Sequence, residues 1–199
     1  MSRRRHRIRT VCVYCGSSRQ CDSRYREGAA ELGRVLSANG YTIVYGGGRV
    51  GSMGSLADAA LAAGGLVVGV IPRFMMDLEW QHPGLSDLVV AKDLADRKAQ
   101  MLRCSHAVVA LAGGSGTLEE LFETLTLKRL GLFLGPIVLV NTAGFFDPLV
   151  RQLDLCVDER FLDPRHREMW QVLDRPAQVP RALRSAKPWS PDAREFAAP

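Results

Sequence analysis

The sequence predicts an α/β fold: a doubly wound, Rossmann-like parallel sheet with helices on both faces, in a single domain. Three observations carry that reading. Six short segments read as strands, and most are continuous apolar runs, the pattern of parallel strands covered on both faces. Amphipathic segments separate most of them, which is the alternation of a βαβ chain. Finally, three of the strands run directly into turns rich in glycine and serine. In such a sheet, ligands bind in the crevice at the carboxyl ends of the strands.

The elements follow in order along the chain. The first strand is Thr10–Cys15, and it ends in Gly16-Ser17-Ser18. A helix over Ser23 to Asn39 stops at Asn39-Gly40, a helix-terminating pair. The second strand, Tyr41–Tyr45, leads into Gly46-Gly47-Gly48-Arg49-Val50-Gly51-Ser52-Met53-Gly54. A helix from Gly51 to Ala63 ends at Gly64-Gly65, and strands Leu66–Ile71 and Asp87–Ala91 come next. The helix from Leu94 to Cys104 precedes the strand Ala107–Leu111, whose end carries Gly113-Gly114-Ser115-Gly116-Thr117. A helix over Thr117 to Leu130, the strand Ile137–Asn141 and a helix over Phe146 to Glu159 complete the pattern. The expected division is a basic N-terminal tail over 1–9, a nucleotide-binding catalytic domain over 10–175, and a Pro/Arg-rich C-terminal tail or surface-wrapping arm over 176–199.

Composition narrows the function classes. With 199 residues and 47% hydrophobic content, the chain can bury one good core. Its formal net charge is +5, but Arg3, Arg4, Arg5, Arg7 and Arg9 supply all of it; without them the sum is zero. A nucleic-acid footprint belongs on the domain as a patch or stripe, so a neutral body argues against nucleic acid as a partner. No apolar run has the length of a signal-peptide core or a membrane span, so no membrane association and a cytoplasmic location are expected. The five cysteines are scattered. Cys12 and Cys15 form a C-x-x-C without the second ligand pair that zinc needs, and Cys12 sits within an apolar strand, so no metal is expected.

The glycine turns do not match the common phosphate loops. Gly51-Ser52-Met53 lacks the Lys of a Walker A loop, and the first turn, Cys15-Gly16-Ser17-Ser18, lacks the dinucleotide fingerprint. An NAD-type oxidoreductase is therefore disfavoured, and no cofactor is implied. Three small-residue turns at one sheet edge still point to a nucleotide-like ligand that backbone approaches closely.

Segment 94–102 adds chemistry. On a helix, Leu94, Arg97, Lys98, Met101 and Leu102 share one face, so two cations sit on the stripe that should meet the sheet. Either their stems snorkel along the core edge, or they point into the crevice, where an anionic partner must offset the cost of burial. Glu120 has two readings as well. Thr117-Leu118-Glu119-Glu120 has the form of a capping box, in which Glu120 only caps the helix; alternatively Glu120 is a site carboxylate with Arg97 as its cationic neighbour.

Val44-Tyr-Gly-Gly-Gly-x-x-Gly-x-Met-Gly54, Asp96-Arg97-Lys98-Ala-x-Met101 and Gly113-Gly-x-Gly-Thr-x-x-Glu120 resemble the Lonely Guy (LOG) family. Its members are cytokinin-activating phosphoribohydrolases, long labelled lysine decarboxylases. The resemblance runs from about Val11 to about Val157 and includes Cys15-Gly-Ser-Ser18 and Val70-Ile-Pro72. It implies a homodimer that hydrolyses the N-glycosidic bond of AMP or an N6-modified AMP, giving the free base and ribose 5-phosphate. It also implies Arg97 and Glu120 as the catalytic pair. Lys98, the stretch Gly113, Gly114, Ser115, Gly116, Thr117, Leu118 and Glu119, and Thr126 fall on positions that line the nucleotide site, and Glu79 on that of a substrate-contacting acid. Gly16, Ser17, Gly47, Gly48 and Met53, in the other two turns, complete the expected binding set. The chain departs from the family at Ala112, where Pro is usual, at Leu94, where Met is usual, and more widely over Phe74 to Leu85. A decarboxylase finds no support, because no Lys has an evident pyridoxal-phosphate context. A non-catalytic nucleotide or cofactor carrier of the same fold is the alternative; it would keep the glycine turns without needing Arg97 and Glu120.

Overall fold

The computed structural model of the chain describes residues 8–78 and 80–197. The basic run Arg3 to Arg7 and Glu79 lie outside the described residues. Seven parallel strands form one sheet in the order β4-β3-β2-β1-β5-β6-β7: β1 Thr10–Tyr14, β2 Thr42–Tyr45, β3 Val67–Pro72, β4 Asp87–Ala91, β5 Ala107–Ala110, β6 Ile137–Val140 and β7 Trp170–Leu173. Six of them match the apolar runs of the sequence. The seventh, β7, pairs with β6 through Ile137↔Trp170 and Leu139↔Val172. It escapes a search for apolar runs because it is an edge strand whose third residue, Val172, is exposed.

Helices cover both faces. α1 (Ser23–Ala38), α2 (Gly51–Ala62) and α7 (Val179–Ser185) pack on one side with Val11, Val13, Ile43 and Val109. α4 (Leu94–Arg103), α5 (Ser115–Arg129) and α6 (Asp147–Asp158) lie with Tyr14, Val44, Val108 and Leu139 on the other; a single turn, α3 (Arg73–Met76), follows β3. Gly33 sets how closely α1 and α2 approach, since a Cβ there would overlap the Leu56 carbonyl. Cys12 and Cys15 are three residues apart at the end of a strand and are buried in opposite clusters. Side chains alternate across a strand, so this spacing separates the two sulfurs by the sheet.

From Pro176 the chain runs round the β7 edge. Val179 and Leu183 are buried on the α1 side, whereas Trp189 packs on the opposite face, where it donates its indole N–H to the Lys128 carbonyl at 2.7 Å. The strand order reverses between β1 and β5. That switch point places the loops after β1, β2 and β5 around a common crevice.

Candidate functional site

The crevice at the switch point is a cavity of about 650 Å³. Its floor is built from three turns that interlock through backbone. The Gly16 N–H donates to the Ala112 carbonyl, and the Met53 N–H donates to the Gly16 carbonyl. A Cβ on Gly16 would lie 3.2 Å from the Gly113 Cα, so the first and third turns meet almost backbone to backbone. Gly51 starts α2 with φ +62°, a left-handed conformation suited to glycine, and its Cα faces the Ser17–Ser18 peptide.

Arg97 rises into this floor from α4. Its side chain is buried and held by three hydrogen bonds: Nε donates to the Val70 carbonyl at 3.0 Å, Nη2 to the Gly46 carbonyl at 3.2 Å, and Nη1 to Glu120 Oε1 at 2.8 Å. The guanidinium therefore does not snorkel to the core edge. Gly46 makes room for it, because a Cβ at that position would overlap Nη2. An Arg packed against two carbonyls and a carboxylate satisfies the requirement that a buried cation be paired.

Glu120 is 5% exposed and stands on the buried face of α5 with Thr117, Leu121, Thr124 and Leu125, whereas Phe122 is turned outward. The capping-box reading fails on register. Gly114 is the N-cap and α5 begins at Ser115, three residues earlier than the Thr-x-x-Glu pattern suggests, so Glu120 stands well inside the helix. Burial pushes its carboxyl up to about 7, against the pull of the neighbouring Arg97. Arg97 favours the ionised form, but desolvation outweighs that attraction and leaves the group titrating near neutral pH. Oε2 has no hydrogen-bond partner among the described residues, and Glu120 lines the cavity. Behind it, the Thr124 hydroxyl donates to the Glu120 carbonyl and lies 2.9 Å from the Tyr14 hydroxyl, which ties α5 to the end of β1.

Lys98 stands on the next position of α4 and pairs with Glu119 and with Glu123, the latter at 2.7 Å. Hydrogen bonds to these carboxylates raise its pKa. At the N-terminus of α5 no side chain caps the helix, so its first-turn N–H groups have no intrahelical acceptor, and Gly114, Gly116 and Thr117 of this end line the cavity. That is a ready anion site.

Of the residues expected from sequence, Gly16, Ser17, Gly48, Met53, Arg97, Lys98, Gly114, Gly116, Thr117, Glu119 and Glu120 line this one cavity. Gly47 and Gly113 lie beneath it as structural turns. Gly47 has φ +76° and accepts from the His82 N–H, while a Cβ on Gly113 would overlap Thr117 Oγ1. Ser115 and Leu118 belong to the first turns of α5 but are not part of the lining. Thr126 is elsewhere: it is exposed on the outer face of α5 and its hydroxyl donates to the Phe122 carbonyl.

Sequence reasoning missed one wall. Met75, Leu78 and Trp80 form an apolar side of the cavity, and Trp80 is 52% exposed. The segment is fastened to the second glycine turn: Arg49 N–H donates to the Trp80 carbonyl at 3.1 Å, and Gly48 bridges to Gln81. His82 closes the clasp by accepting from the Gly84 N–H at Nδ1 and contacting Asp58 Oδ1 of α2 through Nε2 at 2.9 Å. No periodicity marks this segment, and only its apolar and aromatic residues next to β3 hinted at a pocket wall. Among the described residues, no group of three or more His, Cys, Asp or Glu could hold a metal ion. The buried thiols of Cys12 and Cys15 are pushed well above the usual thiol range by desolvation.

The geometry can be set beside known proteins. Residues 53–183 match the family described as "Possible lysine decarboxylase". The cytokinin riboside 5'-monophosphate phosphoribohydrolase LOG of Oryza sativa subsp. japonica is 41% identical over 159 residues, which are 80% of this chain and 66% of the rice protein. An enzyme of the same name from Arabidopsis thaliana is 37% identical over 185 residues, 92% of this chain and 80% of the relative. Among solved structures, a structural-genomics target superposes with TM-score 0.69 at 27% identity, covering 89% of this chain and 99% of that one. The molybdenum cofactor carrier protein of Chlamydomonas reinhardtii also reaches TM-score 0.69, at 22% identity and 90% and 98% coverage, a likeness of fold alone. From the glycine turns to α7, and at these identities over most of its length, the chain belongs to the Lonely Guy (LOG) family, the family that carries the decarboxylase description.

Proposed function

We propose that the chain is a phosphoribohydrolase that cleaves the N-glycosidic bond of AMP or an N6-modified AMP. Water is consumed; the base leaves with a proton and C1' of ribose 5-phosphate takes the hydroxyl. The observation that carries this reading is the buried Arg97–Glu120 pair, with Glu120 Oε2 left without a partner in a cavity of nucleotide size. A carrier needs the crevice but has no use for a carboxylate poised near neutrality, and the likeness to the molybdenum cofactor carrier is one of fold. The relatives named as phosphoribohydrolases support the enzyme reading.

Each residue has a role in this reading. The reaction passes through an oxocarbenium-like sugar, which the ionised Glu120 stabilises while orienting or activating the attacking water. Arg97 fixes Oε1 and holds the carboxylate in place, leaving Oε2 for the reaction. The 5'-phosphate sits on the first turn of α5, where backbone N–H groups and the helix dipole favour an anion. Lys98 tethers the α4 and α5 ends beside it. The base lies against Met75, Leu78 and Trp80, with Glu79 as the acid expected near it.

We also infer a homodimer acting in the cytoplasm. Leu118, Phe122 and Thr126 recur every four residues, so they form one stripe of α5. Phe122 is 43% exposed on it. A second copy packed on that stripe would bring Thr126 to a nucleotide site from which it is absent in the single chain. Among the described residues, no helix is long and apolar enough to cross a membrane. The activity is tested by incubating the protein with AMP and with isopentenyl-AMP and following the released base by chromatography. The dimer is tested by sedimentation of wild type against Phe122→Glu.

A further inference from the structure

The charges that line the cavity do not balance. Among the described residues its lining holds four cations, Arg19, Arg49, Arg97 and Lys98, against two carboxylates, Glu119 and Glu120. Arg97 is paired with Glu120, and Lys98 with Glu119 and Glu123. Arg19 and Arg49 are in no ion pair among the described residues. Arg19 and Arg49 are thus the two lining cations without an ion-pair partner among the described residues, and a phosphate monoester dianion can meet both.

Their placement matters as much as their number. Arg19 belongs to the loop after β1, and Arg49 to the turn after β2. These two segments touch, because the Gly51 Cα lies against the Ser17–Ser18 peptide. The β1 loop also abuts the third turn, where Gly16 packs on Gly113 just ahead of the α5 N-terminus. Both guanidinium groups are therefore carried by loops at the rim of the anion site, on long side chains that are exposed in the free protein.

We propose that Arg19 and Arg49 are phosphate-gripping residues that close on the dianion from the rim while the α5 N-terminus binds it from below. They make the site selective for a phosphorylated ribosyl compound over the bare nucleoside or sugar. Planar guanidinium forks suit the task, since each offers paired N–H donors to phosphate oxygens. This deepens the functional reading above and rests on it for the identity of the ligand.

Ribose 5-phosphate and ribose test the idea without turnover, so the result does not depend on hydrolysis. Calorimetric titration should show wild type binding ribose 5-phosphate well above ribose. Arg19→Ala and Arg49→Ala should each weaken ribose 5-phosphate by about tenfold, and the double variant by about a hundredfold, with ribose affinity moving less than twofold. Arg49→Lys should recover part of the loss. Both positions are exposed, and an unaltered melting temperature will show that the variants fold. Single and double variants binding ribose 5-phosphate within twofold of wild type would overturn the inference, as would a wild type blind to the phosphate. Base release from AMP, measured separately, decides the activity whatever the arginines do.

Discussion

Arg97 of α4 and Glu120 of α5 meet at 2.8 Å although both side chains are almost wholly buried. The pair joins two helices that flank β5, and the guanidinium also donates to the carbonyls of Gly46 and Val70. The site and the fold therefore share a single polar knot. Removing Arg97 strands a carboxylate in the interior and frees two carbonyls. Arg97→Met should lower stability by about 3 to 5 kcal/mol, the usual cost of breaking a buried pair. It should also reduce kcat/KM by at least a hundredfold. Chemical denaturation and steady-state base release check the two effects separately.

Gly46 tests the same knot from its backbone side. A methyl group there would occupy the position of Arg97 Nη2. Gly46→Ala should displace the guanidinium and lower activity by about as much as loss of the Arg97–Glu120 contact, roughly a hundredfold, while Gly114→Ala, where a Cβ meets nothing within 4 Å, should not displace it. A crystal structure of each variant would show whether the guanidinium has moved.

The pH dependence has a definite sign. Burial raises the Glu120 carboxyl from its ordinary 4.5 to about 7 in the folded protein. Its contribution to stability is complete below the unfolded pKa and is lost as pH rises through the folded one, so the stability of Glu120→Gln relative to wild type should rise between about pH 4.5 and 7. Activity runs the other way, because the ionised form is the reactive one. kcat/KM should rise with pH on an acid limb centred near 7.

Base selectivity should reside in the wall after β3. Trp80 presents a large, half-exposed apolar surface beside Met75 and Leu78. Trp80→Ala should reduce the preference for isopentenyl-AMP over AMP by about tenfold, the range of one apolar pocket contact. Competing the two substrates in one reaction measures the ratio directly.

The sequence revealed the sheet and helices through the period of their apolar residues, and six strands lie where those runs place them. β7 stayed hidden because Trp170-Gln171-Val172-Leu173 is a short edge strand with an exposed Val172, which erases the continuous pattern. The cations of α4 stood out because Arg97 occupies a core-facing position. What local sequence could not decide was Glu120, whose two roles share one spacing. Only the start of α5 at Ser115 and the distance to Arg97 separate them. The Met75–Trp80 wall and the His82–Asp58 contact depend on a loop folding back over the second glycine turn, a long-range event without a local signature.

The most direct measurement is base release from AMP and isopentenyl-AMP by wild type and Glu120→Gln at matched, folded concentrations. The account predicts turnover by wild type to free base and ribose 5-phosphate in equal amounts, with a loss of about 100- to 1,000-fold in the variant. Release of no base from either nucleotide by wild type, or equal rates for wild type and variant, would contradict it.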